Sequence, residues 1–164
     1  MSALIRQAIA ADAEAIARIY EHYVDKSCIT FEERAVSAAE IAARMAEVFA
    51  RGYPWLVVEQ HAGVVGYAYA DTWKTRDAYR FCVESTIYLA PGLTGRGLGG
   101  MLYRTLLDQL RPLGLHVAIA VIALPNEASV ALHEKLGFRK VGHFSEVGFK
   151  FGKWIDVGYW QLLL

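Results

Sequence analysis

The run from residue 83 to residue 110 constrains this chain most. Val83-Glu84-Ser85-Thr86-Ile87-Tyr88-Leu89 is rich in β-branched and aromatic side chains and reads as a strand. Ala90-Pro91-Gly92 and Thr94-Gly95-Arg96-Gly97-Leu98-Gly99-Gly100 follow, after which Met101, Leu102, Leu106 and Leu110 recur at helical spacing. A strand that passes through a glycine loop into an amphipathic helix presents free backbone N–H groups and the positive end of the helix dipole to an anion. The expectation is a phosphate cradle.

Two phosphate-binding patterns fail on inspection. Gly95, Gly97 and Gly100 have the dinucleotide-binding spacing, but no Asp or Glu lies between Asp108 and Glu127, where that fold places a ribose-binding acid about 20 residues on. The nucleotide P-loop needs Gly-Lys before Ser or Thr, and this loop has Gly97-Leu98-Gly99. The third pattern is a coenzyme A pyrophosphate loop. Thr94-Gly95-Arg96-Gly97-Leu98-Gly99 resembles the Gln/Arg-x-x-Gly-x-Gly/Ala signature of the GNAT acetyltransferase superfamily, with Thr94 where Gln or Arg is usual. The resemblance implies acetyl-CoA as cosubstrate, held by these six residues largely through their backbone.

Composition narrows the partners. The chain has 164 residues, 55% of them hydrophobic, enough for one domain with a sizeable core over 1–164. Seventeen basic and seventeen acidic side chains cancel, which argues against nucleic acid or an anionic membrane surface and for a small-molecule partner. No window approaches the roughly 18 apolar residues of a membrane span, and the first residues lack the apolar core of a signal peptide. A soluble cytoplasmic protein is expected, with Cys28 and Cys82 as reduced thiols. No Cys/His spacing fits zinc, so no metal is expected.

A short strand is expected at residues 4–8. Ile16, Ile19, Tyr20, Tyr23 and Val24 then give an amphipathic helix. Ser37 and Glu40 form a capping-box signature for a second helix, with Gly52 placed to end it. Residues 55–59 and 64–69 read as a hairpin, 81–89 as a third strand, 116–122 as a buried strand, and 154–164 as the last strand. A short helix follows Pro125-Asn126 and ends near Gly137. This is a mixed α/β fold with mainly antiparallel strands flanked by helices, and the order agrees with the GNAT fold. Three segments resemble the phosphinothricin and methionine sulfoximine N-acetyltransferases: residues 73–79, Val83-Glu84-Ser85-Thr86, and the long stretch 148–161.

Acetyl transfer to an amine needs a proton acceptor, a polarised thioester and a proton for the thiolate. Glu84 shares a strand face with Thr86 and Tyr88. From the pattern alone it reads as a solvated surface carboxylate, whereas the resemblance at its Val-Glu-Ser-Thr setting implies the general base. The resemblance further implies that this strand splays from residues 116–122 and that pantetheine bonds the backbone of Ile87, Tyr88 and Leu89. Asn126 reads as a helix N-cap and, by resemblance, as a coenzyme contact. His133 stands where this branch carries His, which implies an acid or thiolate-stabilising role and a coenzyme contact. Lys74, Thr75, Arg76 and Tyr79 are carried over as substrate-binding residues suited to a carboxylate or phosphinate, and Phe31 is a candidate pocket wall.

The expected activity is acetyl-CoA dependent acetylation of the α-amino group of a small amino acid analogue such as phosphinothricin, methionine sulfoximine or methionine sulfone. The alternatives are acetylation of another amine, in a protein N-terminus or an aminoglycoside, and a non-catalytic coenzyme A binding module. The aromatic run at residues 159–164 reads as an apolar edge, from which a homodimer is expected.

Overall fold

The structure, a computed structural model, describes residues 3–164. Its strands are β1 (Leu4–Gln7), β2 (Trp55–Gln60), β3 (Gly63–Thr72), β4 (Cys82–Leu89), β5 (Val117–Leu124), β6 (Arg139–Lys150) and β7 (Lys153–Leu163). The helices are α1 (Ala13–Lys26), α2 (Ala38–Ala50), α3 (Leu98–Leu110) and α4 (Glu127–Lys135). The strands form one seven-stranded sheet in the order β1-β2-β3-β4-β5-β7-β6. Every neighbouring pair is antiparallel except β4 and β5.

Period-two alternation divides the core between the two faces of this sheet. Trp55, Val57 and Tyr67 pack under α1 and α2, against Ile16, Tyr20, Val24, Ile41 and Met45. Leu56, Val58, Ala68 and Val83 face the other way, onto Leu102, Leu106 and Leu110 of α3. Each fully buried Leu, Ile, Val or Met among these contributes about 1.5–3 kcal/mol. Ser37 caps α2 as its sequence predicts: its Oγ accepts from the Glu40 N–H at 3.2 Å, while the Glu40 carboxylate accepts from the Ser37 N–H at 2.8 Å.

One strand was absent from the sequence reading. β6 carries Val141, Phe144, Val147 and Phe149 exposed, and its register with β7 shifts twice, so no period-two pattern survives along it. It turns into β7 through Phe151 and Gly152, whose φ angles of 51° and 72° match the left-handed pair of a tight hairpin. This also corrects the reading of residues 159–164. All but the last of them lie on β7, between β5 and β6, with Trp160 buried, so the apolar run is an interior strand and the outer edge is β6.

Candidate active site

The site begins where the parallel pairing of β4 with β5 stops. β4 and β5 pair at Cys82–Val117, Val83–Ala118 and Glu84–Ile119, and then separate although both strands continue. β4 remains paired to β3 from Val83 to Leu89, and β5 to β7 along its full length. The gap is therefore a V lined by two half-used strand edges.

Alternation in the outer ladders identifies which backbone groups face the V. The Ala90 N–H donates to the Val65 carbonyl and the Trp73 N–H to the Cys82 carbonyl, which sets the even-numbered residues of β4 towards β3. Ile87 and Leu89 thus present backbone groups to the gap, opposite Val121 and Ala123 of β5. Tyr88 does not: its backbone is turned to β3, which corrects the expected backbone contact. Its side chain instead packs among Tyr20, Tyr23 and Tyr67, with ring centroids 5.0–5.5 Å away. The Leu89 carbonyl accepts from the Tyr23 hydroxyl, which leaves its N–H as the group open to a ligand.

A cavity of about 220 Å³ fills the V and gathers Glu84, Ile87, Tyr88, Asn126, His133 and Phe31 from the sequence-derived set. Glu84 sits at the apex, opposite Asp71 of β3. Burial pushes its carboxyl above the ordinary value, the charge of Asp71 adds to this, and Lys74 opposes it. No hydrogen-bond donor contributes to this balance, so the group is a desolvated carboxyl whose proton affinity is raised by burial and by Asp71.

His133 is more enclosed than a side chain on a short helix would lead one to expect, at 3% exposure. Its Nδ1 donates to the Ser129 carbonyl at 2.7 Å, which places the single proton of the neutral ring there. Nε2 then accepts from the Tyr103 hydroxyl at 3.1 Å, and Tyr103 shares a 2.6 Å bond with Ser85. Burial lowers the His133 pKa below its ordinary 6.5. As pH falls, the unfolded chain takes up this proton before the folded one, so stability declines below about pH 6.5. Thermal midpoints measured from pH 7.5 to 5 should show this decline, and His133→Phe should flatten it. An equal slope in the two proteins would show that His133 is not held neutral.

The glycine loop leads from β4 to the start of α3. Gly95 and Gly97 have φ of 77° and 81°, a left-handed geometry that side chains disfavour. Gly97 is the N-cap and no side chain caps the helix; the first helical bond runs from the Met101 N–H to the Gly97 carbonyl at 3.1 Å. The N–H groups of Leu98, Gly99 and Gly100 therefore have no partner within the helix and lie at its positive end. Thr94 and Arg96 are exposed here, while the Leu98 side chain is buried and offers only backbone. Uncapped N–H groups and a half-paired strand edge form a row that a pyrophosphate and an amide-bearing arm would satisfy. Asn126 caps α4, its Oδ1 accepting from the Ser129 N–H at 3.2 Å, so its NH₂ is the half left for a ligand.

The structure does not bring every expected residue into the cavity wall. Lys74, Thr75, Arg76 and Tyr79 lie on the exposed segment between β3 and β4, with the Lys74 ammonium 4.8 Å from the centre of the Trp73 ring. None of them lines the cavity, and of the four only Lys74 acts on Glu84, through its charge. Conversely, Ser85, Tyr103, Ser129 and Asp71 escaped the sequence reading. Tyr103 falls outside the spaced set Met101, Leu102, Leu106 and Leu110 that marks α3, and Asp71 acquires meaning only from its register with Glu84. Among the described residues, no cluster of His, Cys, Asp and Glu could hold a metal ion, and no helix is long and apolar enough to cross a membrane.

A sheet opened into a V, with an anion cradle at its mouth and a half-buried carboxyl at its apex, is the layout of an acyl-CoA dependent transferase. The chain belongs to the acetyltransferase (GNAT) domain family, whose model matches residues 5–158. It is 42% identical to a phosphinothricin N-acetyltransferase of Streptomyces viridochromogenes, covering 96% of this chain and 85% of the relative. It is 40% identical to the L-methionine sulfoximine/L-methionine sulfone acetyltransferase of Salmonella typhimurium, over 98% and 94% of the two chains. A GNAT superfamily phosphinothricin acetyltransferase from Sinorhizobium meliloti, solved with acetyl-CoA, superposes with a TM-score of 0.96 at 41% identity, covering 100% of this chain and 89% of that one.

Proposed function

We propose that this chain, as a single GNAT domain over 1–164, transfers the acetyl group of acetyl-CoA to the α-amino group of a small amino acid analogue. Phosphinothricin, methionine sulfoximine and methionine sulfone are the acceptors, the class named for relatives at about 40% identity. The observation that carries this reading is Glu84, a desolvated carboxyl at the apex of the V, in the same cavity as His133 and Asn126.

When bound, acetyl-CoA supplies the activated acyl group. The uncapped N–H groups at residues 98–100 hold its pyrophosphate, with the loop from Thr94 to Gly97 shaped around it. Ile87 and Leu89 orient the pantetheine arm by offering the strand edge that β5 leaves unpaired. Glu84 accepts the first proton from the substrate ammonium, directly or through water, so that the nitrogen can attack the acyl carbon. His133 carries the second proton that the nitrogen sheds after attack. Its Nε2, released by Tyr103, receives that proton and returns it to the departing sulfur, leaving the ring neutral again.

Lys74 and Arg76, on the exposed segment before β4, take the carboxylate end of the substrate in this reading, with Thr75 and Tyr79 beside them. An acid should therefore be acetylated about ten- to a hundredfold faster than its decarboxylated amine, the worth of a charge-assisted hydrogen bond of about 1.5–3 kcal/mol. An acetyl-CoA consumption screen that pairs methionine sulfoximine with its decarboxylated amine tests this. Equal rates on the two would favour an acetyltransferase for other amines, and no turnover of any amine would favour a coenzyme A binding module.

A cytoplasmic location accords with this substrate class. Two copies are proposed to associate through the outer face of the β6–β7 hairpin, where Phe144, Phe149, Phe151 and Trp154 are exposed together. Light scattering at micromolar concentration should give twice the chain mass, and a monomer mass would overturn this.

A further inference from the structure

Residues 148–161 carry the longest family-specific pattern, yet Val157 alone among them lines the cavity. The reason lies in what β6 touches. Lys150 is a lysine at 2% exposure whose ammonium donates to the Thr30 carbonyl at 2.9 Å. It answers to a main-chain oxygen in the segment after α1, while Asp25, Glu32 and Glu33 act on it only through longer-range charge. Two residues earlier, a Cβ on Gly148 would lie 2.3 Å from the tip of the Phe31 ring. No side chain other than hydrogen fits while Phe31 keeps its place. From the helix side, the Tyr20 hydroxyl shares a 2.6 Å bond with Thr30 Oγ1. Thr30 is thus held from both sides, and its neighbour Phe31 is seated on a glycine. Ile29, Thr30 and Phe31 in turn line the same cavity as Glu84.

We infer that Gly148 and Lys150 are positioning residues for acceptor specificity: from β6 they fix the Phe31 ring as an apolar wall against which the acceptor's terminal group packs. The inference rests on the acetyltransferase reading of the site and deepens it. An apolar ring at that wall favours acceptors that end in a methyl group. Phosphinothricin, methionine sulfoximine and methionine sulfone each do so, on phosphorus or sulfur, whereas glutamine has similar length and ends in a polar amide. The wall rewards the methyl group and leaves the amide desolvated.

Methionine sulfone and glutamine, each with acetyl-CoA, give the test as a ratio of kcat/KM values. Gly148→Ala displaces the Phe31 ring and should lower that ratio about tenfold, the scale at which one methyl group in an apolar pocket discriminates. Acetyl-CoA affinity and the thermal midpoint should stay unchanged, because the displaced ring is exposed and the cavity it lines includes none of the cradle residues 94–100. Phe31→Ala should lower the ratio as well. Combining the two substitutions should add nothing further, because without the ring there is nothing to displace. Lys150→Met, which keeps the stem and removes the donor, should raise KM for methionine sulfone several-fold with kcat retained.

An unchanged ratio in Gly148→Ala, or an equal loss in the Phe31→Ala background, would overturn the inference while the acetyltransferase reading stands. If Lys150→Met does not fold, the Gly148 and Phe31 variants decide the matter by themselves. If the unmodified protein turns over neither acid, the substrate reading falls and this inference falls with it.

Discussion

Replacing Glu84 by Gln is expected to lower kcat by about 10²–10⁴ at neutral pH, the range of a positioned general base. The amide keeps the shape of the carboxyl and removes its capacity to take a proton. In the unmodified protein, the rising limb of the kcat/KM profile should lie above the ordinary carboxylate range, because burial and Asp71 both raise the Glu84 pKa. That limb should vanish in the variant, with part of the lost rate recovered at high pH as the free amine becomes abundant. Stability should move the opposite way. A carboxyl whose pKa is raised by folding binds its proton more tightly in the folded state, so its contribution to stability falls as pH rises. Glu84→Gln should therefore raise the thermal midpoint at pH 7, with the gain shrinking towards pH 4. A variant with full kcat across the pH range would remove Glu84 from the chemistry.

Most of the frame was legible in the sequence because its signals are local. The Ser37–Glu40 box marks the start of α2 through two hydrogen bonds three residues apart, and the buried face of α1 follows the period of its apolar residues. The glycine loop is read with equal ease, since left-handed φ at residues 95 and 97 demands glycine regardless of the rest of the chain. β6 was not legible. Its outward residues are exposed and its register with β7 is broken twice, so the alternation that reveals a strand is missing. The apolar run at 159–164 misled in the complementary way. Hydrophobicity on both faces signals an interior strand as readily as an exposed edge, and only the pairing with β6 decides between them.

The site was legible where resemblance named single residues and illegible where function arises from register or long-range contact. Glu84, Asn126, His133 and Phe31 were identified from their immediate sequence and converge on one cavity. That Ile87 and Leu89, and not Tyr88, turn their backbone into the V depends on which residues β3 has already engaged. The Tyr103 hydroxyl that meets His133 comes from α3, 30 positions earlier in the chain, and Ser85, which bonds Tyr103 in turn, comes from β4, with no periodic signal linking them. Lys150 reads as one more charged residue near an aromatic, and only the fold reveals that its ammonium is buried against Thr30, 120 positions away.

Gly97→Glu should weaken acetyl-CoA binding by about two orders of magnitude while the protein stays folded. Two effects act in the same direction. At φ of 81° a side chain costs about 1–2 kcal/mol, and the strain is relieved by reshaping the loop that presents the cradle. The new carboxylate also sits at the positive end of α3, where it competes with an incoming pyrophosphate for the N–H groups of residues 98–100 and repels its charge. Space around Gly97 is open, with nothing within 4 Å of a Cβ built there, so the core is not disturbed and the loss falls on ligand binding. Gly97→Ala separates the two effects, since it carries the backbone strain alone and should cost about tenfold. Calorimetric titration with acetyl-CoA checks both, with the folded state confirmed by circular dichroism. Undiminished affinity in a folded Gly97→Glu protein would move the pyrophosphate site away from this loop and the acyl donor with it. A loss in Gly97→Ala as large as that in Gly97→Glu would assign the cradle's selectivity to its shape and not to its charge.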